Sequence, residues 1–185
     1  MDLPIGMPLK EGMETDGVDF RKLFHTFREH RLTGYIALDI MTNNGIEEGL
    51  LLLNGGEPVA AEYGFVASGR TVKGDGALPL FMNGCLGEGR FDICEMTADE
   101  FLGAREKNRD AVLRAKPTEN ELLALLPDTF TEKTLEGAAA QLIRGEAIKK
   151  AGGVSRDEVL KKYGIKHPDK KAVDTLLKGV IDGSV

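Results

Sequence analysis

The sequence has no tryptophan, two cysteines and three histidines in 185 residues, and aromatics make up 6% of it. Cys85 and Cys94 fit a reducing compartment, and their spacing matches no zinc or redox motif. His25, His30 and His167 are scattered, so neither a Ser–His–Asp nor a Cys–His constellation can be assembled. The convergence of about four ligands that a structural metal needs is also missing. No run comes near the roughly 20 apolar residues that span a bilayer. The first residues, up to Gly17, lack the basic segment and apolar core of a signal peptide. A cytoplasmic protein with no membrane partner is therefore expected. No catalytic, metal or cofactor-binding residue is assigned, no cofactor is expected, and the chain reads as a protein without enzymatic activity.

What is present is unevenly spread. The net charge of −6 divides into −9 over residues 1–102 (17 acidic, 8 basic) and +3 over residues 103–185 (13 acidic, 16 basic). Nine of the eleven aromatics precede residue 103, and 16 of the 23 glycines lie in residues 1–103. A change in both charge and packing chemistry at one place predicts two domains, an α+β domain over 1–102 and a helical domain over 103–185.

Periodicity supplies the elements. Phe20, Leu23, Phe24 and Phe27 fall at i, i+3, i+4 and i+7, one apolar stripe of a helix over Phe20–Glu29 with Asp19 as N-cap. Strands are predicted over Tyr35–Met41, Glu48–Leu53, Pro58–Tyr63 and Arg90–Met96, with hairpin chemistry at Asn54-Gly55-Gly56-Glu57. A short helix is predicted over Ala77–Asn83, with Pro79 in its first turn. Capping boxes at Thr97/Glu100, Thr118/Glu121 and Ser155/Glu158 open three further helices. The first should run towards Ala115, the second should end near Pro127, and the third should cover Arg156–Tyr163. A last helix is predicted over Asp169–Ile181. The fold class is α+β: an N-terminal antiparallel sheet of about four to five strands with flanking helices, followed by a small all-α C-terminal region.

Leu32-Thr33-Gly34-Tyr35 after an amphipathic helix, the strand Gly49–Leu53, the hairpin and return strand Asn54–Ala61, Gly74–Leu78 and the strand Gly87–Ile93 follow one another in a particular order. In that order the N-terminal part resembles the PATAN-type domain. Together with Ser155–Lys166, the chain is similar to an archaeal family of unknown function. That resemblance implies an archaeal cytoplasmic protein, and PATAN-like domains are read as signalling adaptors that bind other proteins.

A few residues could carry chemistry. Gly64–Gly76 places Arg70 and Lys73 among glycines, but Asp75 and Gly76 stand where a phosphate loop needs Lys and Ser or Thr. Of the carboxylates Glu47, Glu48, Glu57, Glu62, Asp92 and Glu95, the Glu47-Glu48 pair is expected to be solvated and Glu62 to lie near the core edge. Cys85 is expected to be a buried, inert thiol. Lys161, Lys162, Lys170 and Lys171 form a basic cluster on two helices of helix-turn-helix dimensions, yet the second helix has no Arg, Asn or Gln to read base edges.

The leading expectation is a non-enzymatic interaction or regulatory protein that binds protein partners, with Arg70, Lys73, Lys161, Lys162, Lys170 and Lys171 as candidate contacts. Self-association as a homodimer, through the sheet or the Ala98–Ala115 helix, is a further expectation. The alternatives are a nucleic-acid-associated protein using the C-terminal lysines and a small-ligand protein using Gly64–Gly76.

Overall fold

The three phenylalanines of the first helix fix the packing of the molecule. The computed structural model describes residues 1–132, and in it α1 (Phe20–Glu29) starts where expected, with the Asp19 carboxylate accepting the Lys22 amide. Phe20, Phe24 and Phe27 are buried, and Phe20 meets Phe91 at a centroid distance of 5.3 Å.

Six strands lie beneath them: β1 (Met7–Glu14), β2 (Gly34–Thr42), β3 (Gly45–Asn54), β4 (Glu57–Phe65), β5 (Arg70–Lys73) and β6 (Gly89–Glu95). They form one sheet in the order β1-β6-β2-β3-β4-β5, antiparallel throughout. The molecule is α+β as expected, but the sheet has six strands rather than four to five. The two additional strands are its edges. Nearly every residue of β1 is exposed, so it carries no in–out alternation, and its pairing with β6 is broken by two register shifts. β5 is four residues long and pairs with β4. An element held mainly by backbone pairing to a neighbour leaves little pattern in its own side chains.

The turn between β3 and β4 needs its glycines. Gly55 and Gly56 have φ of 58° and 79°, as a two-residue hairpin turn requires. Gly56 also lies against α1, where an added Cβ would stand 2.4 Å from the Phe27 carbonyl oxygen.

One face of the sheet carries Ile36, Leu38, Leu51, Leu53, Tyr63, Phe91 and Ile93 and is covered by α1 and by α2 (Ala77–Gly84). The other face buries Leu52, Ala60 and Met96 against α3 (Ala98–Lys107), through Phe101 and Ala104. α3 stops at Lys107 instead of running to Ala115. The Asn108 amide group turns back to the Asp2 backbone, donating to its carbonyl at 2.8 Å and accepting its amide at 2.8 Å. The same amide group donates to the Ala104 carbonyl at 2.7 Å, a local bond that competes with continuation of the helix.

A single 3₁₀ turn, Arg109–Ala111, follows. Leu113 then donates to the Val59 carbonyl at 2.9 Å, and α4 (Glu119–Ala124) brings Leu122 to the first face. The predicted elements beyond residue 132, including the all-α C-terminal region, lie outside the described residues.

Candidate interaction surface

Because side chains alternate along a strand, the register of the sheet states which residues share a face. Asp39 stands opposite Glu48 on one side and opposite Arg90 on the other. Glu14 stands opposite Arg90, and Gly64 opposite Glu48. The row Glu14–Arg90–Asp39–Glu48–Gly64 therefore crosses the sheet on the face that α3 also occupies. The next row towards α3 is Asp92–Ala37–Leu50–Glu62–Lys73. Beyond that come Cys94, Tyr35, Leu52 and Ala60, which α3 and its neighbours cover.

So α3 covers one half of this face and leaves the other half exposed. At the far end of the exposed half, Met41 and Ile46 form a cross-strand pair, 68% and 47% exposed, with Val66 nearby at 49%. A groove of ≈ 880 Å³ adjoins it, lined by Thr15, Asp16, Asp39, Met41, Glu88 and Arg90 among others. The sheet edges are less suited to pairing. Ile5 before β1 and Met7 and Leu9 within it are exposed, but Pro8, its register shifts and the φ of 61° at Gly12 interrupt its free edge, and β5 is short. Such features discourage strand addition.

Several carboxylates around the β4 edge and α1 are paired. Glu57 pairs with Arg28 at 3.1 Å and Lys116 at 3.3 Å. Glu62 takes Lys73 at 3.3 Å and the Met1 amino group. Asp110 takes Lys73 at 2.8 Å, and Glu119 takes His25 at 2.9 Å. On the open half, by contrast, Asp39, Glu48 and Asp92 have no ion pair with a cation among the described residues. Asp92 accepts the Gly12 amide at 2.6 Å. Burial, and then the charge of Asp92, push the Asp39 carboxyl above its ordinary range. Like charges directly opposite on a sheet cost stability.

The residues singled out from sequence fall as follows. Gly64–Gly76 forms the β4–β5 hairpin and two 3₁₀ turns. Within it Lys73 is held by Asp110 and Glu62, whose hydrogen bonds raise its amine, and Arg70 is exposed at the end of β5. The Asp75 carboxylate accepts the Arg114 amide at 3.0 Å. Cys85 is buried, and burial pushes its thiol up. Lys161, Lys162, Lys170 and Lys171 lie outside the described residues.

Glu47 corrects the expectation of a solvated pair. It is 4% exposed, on the face opposite Glu48, and accepts a hydrogen bond from the Tyr63 hydroxyl at 2.7 Å. Its other oxygen is buried without a hydrogen-bond partner. Burial raises its carboxyl, an effect the Tyr63 bond reduces and the Glu132 charge adds to. The signal for this was the alternation of β3, in which 47, 49, 51 and 53 share the core face. The exposed row leaves no signal in any one segment because it is assembled from five strands.

A protein of Archaeoglobus fulgidus described as uncharacterized is 26% identical to the chain over 168 residues, covering 90% of this chain and 59% of the relative. The chain thus spans under two thirds of that relative's length. No solved structure matches it. Residues 1–108, from the edge strand through α3, match the family described as "uncharacterized protein conserved in archaea (DUF2226)", and the chain belongs to that family.

Proposed function

We propose that the protein is a non-enzymatic interaction or regulatory module that binds a protein partner through the open half of the α3-bearing face. The observation that carries this reading is the exposed Met41–Ile46 pair on a sheet face that α3 covers only in part. Exposed apolar groups gathered in one place mark contact surfaces more often than scattered ones do. The resemblance of residues 18–95 to PATAN-type adaptor domains supports the same reading. The acidic character of residues 1–102 suits binding to a protein better than binding to nucleic acid.

The test is affinity capture from the native cell with the wild-type chain and with Met41→Ser/Ile46→Ser, with the captured proteins identified by mass spectrometry. A partner retained by the wild type and lost by the double variant, at unchanged melting temperature, supports the reading. Identical partners for both chains place the interface elsewhere.

A further inference from the structure

Resting on that interaction reading, the chemistry of the open half-face specifies the partner. The face interleaves two kinds of uncovered chemistry, the Asp39/Glu48 pair lying between the Met41/Ile46 and Ala37/Leu50 pairs. One is apolar: Met41 and Ile46 exposed, with Ala37 and Leu50 half-buried. The other is negative: Asp39 and Glu48 directly opposite one another, Asp92 one row away and Glu14 at the end of the row. Arg90 is the one basic side chain in these two rows before Lys73, and Lys73 is already held by Glu62 and Asp110.

The charges on the open half decide the sign: Glu14, Asp39, Glu48 and Asp92 stand against Arg90, while Glu62 and Lys73 answer each other. Glu57, Glu62, Asp110 and Glu119 each have a cation within ion-pair distance, whereas Asp39, Glu48 and Asp92 have none among the described residues. Isolated carboxylates on a strand pair oppose folding, and a cation arriving from a partner relieves that opposition.

The shape of the occupant follows from the covered half. There a single helix, α3, lies on the sheet through Phe101 and Ala104, on Leu52 and Ala60. The open half continues the same pleated surface along β2, β3 and β6. A polyamine or a metal ion would answer the carboxylates but leave Met41, Ile46 and Leu50 in water. An apolar helix would cover those side chains and leave the carboxylates desolvated without a partner, which is costly. A helix whose docking face sets basic side chains among apolar ones answers both, a variant of the mode in which amphipathic helices dock on apolar surfaces.

We infer that the open half-face receives a basic amphipathic helix of a partner protein. It lies beside α3, with apolar side chains on Ala37, Met41, Ile46 and Leu50 and lysines or arginines between them reaching Asp39, Glu48 and Asp92.

The experiment titrates the isotope-labelled full chain with three synthetic helical peptides, each with leucines on one face and lysine, glutamine or glutamate set among and beside them. The lysine peptide should shift the amides of Ala37–Met41, Ile46–Leu50 and Gly89–Asp92, with an affinity that falls as salt is raised. Asp39→Asn/Glu48→Gln should weaken it about tenfold, as for charges that meet across an interface. Asp99→Asn/Asp128→Asn, an equal change of net charge away from the face, should leave it within about twofold.

Equal binding of the glutamine or glutamate peptide to the same amides would overturn the basic partner and leave the interaction surface standing. Shifts confined to other amides, or none with any peptide, would overturn both.

Discussion

The Tyr63 hydroxyl donates a 2.7 Å hydrogen bond to one carboxylate oxygen of Glu47 inside the sheet's packed face. Tyr63 is 1% exposed and Glu47 4%, and the second Glu47 oxygen is buried with no hydrogen-bond partner. The phenol is therefore the main polar support of a buried acid. Burial, with Glu47 alongside, pushes the Tyr63 phenol far above its ordinary range, which keeps it a donor.

Tyr63→Phe should destabilise the fold by about 1–3 kcal/mol, because it strands the remaining Glu47 oxygen without replacing its solvent. Adding Glu47→Gln to that variant should recover part of the loss, since a neutral amide costs less to bury than a carboxylate. Urea unfolding of the two variants measures both effects. Equal stability of Tyr63→Phe and the wild type would show that water supports Glu47 instead.

Glu47 also sets a pH dependence. Its folded carboxyl is raised above the ordinary 4.5, first by burial, so the proton is held more tightly folded than unfolded. Below the ordinary value both states are protonated and nothing is lost. As pH rises through that value and then through the folded one, stability is lost, and the loss is complete above the folded value. Glu57 and Asp110, held low by hydrogen bonds from Lys116 and Lys73, give the opposite slope in acid. The readout is therefore the difference between Glu47→Gln and the wild type. That difference should move in the variant's favour with rising pH across this window and then level off. A difference that shrinks with rising pH would contradict the assignment.

The two glycines of the β3–β4 turn should respond differently to alanine. Gly55 has positive φ and nothing within 4 Å of an added Cβ, so Gly55→Ala should cost about 1–2 kcal/mol of left-handed strain. Gly56 has positive φ and the α1 backbone 2.4 Å away. Gly56→Ala should cost clearly more, because α1 has to move off the hairpin. Thermal melts of the two variants distinguish them, and equal losses would mean that the turn can shift away from α1.

Glu48→Lys should raise stability by about 0.2–1 kcal/mol, by replacing a like-charge pair opposite Asp39 with an attractive one. Denaturant midpoints at low and high salt measure this, and the gain should diminish at high salt. A loss of stability at low salt would mean that Asp39 is not ionised beside Glu48.

Strong local patterns carried much of the fold. The stripe Phe20–Phe24–Phe27 placed α1, and the Asn54-Gly55-Gly56-Glu57 turn placed the β3–β4 hairpin. The Thr97/Glu100 and Thr118/Glu121 boxes opened α3 and α4, with both reciprocal bonds formed in each. These signals are local because a helix turn, a cap and a two-residue turn are each closed by residues a few positions apart.

Three features depended on groups far apart in the chain. β1 and β5 exist because β6 and β4 offer them backbone partners. α3 ends at Lys107, where the Asn108 side chain bonds the Ala104 carbonyl and is held in place by the backbone of Asp2, 106 positions away. Glu47 is buried and Glu48 exposed because α2 packs over one face of β3 and the Tyr63 side chain of β4 reaches across it. The sequence by itself determined which segments turn, cap and bury an apolar stripe, because those choices are settled within a few residues. Only the tertiary structure decided that α3 covers half of a face and that Asp39, Glu48 and Asp92 meet on the other half. That meeting is fixed by the register of three strands, and no single segment encodes it.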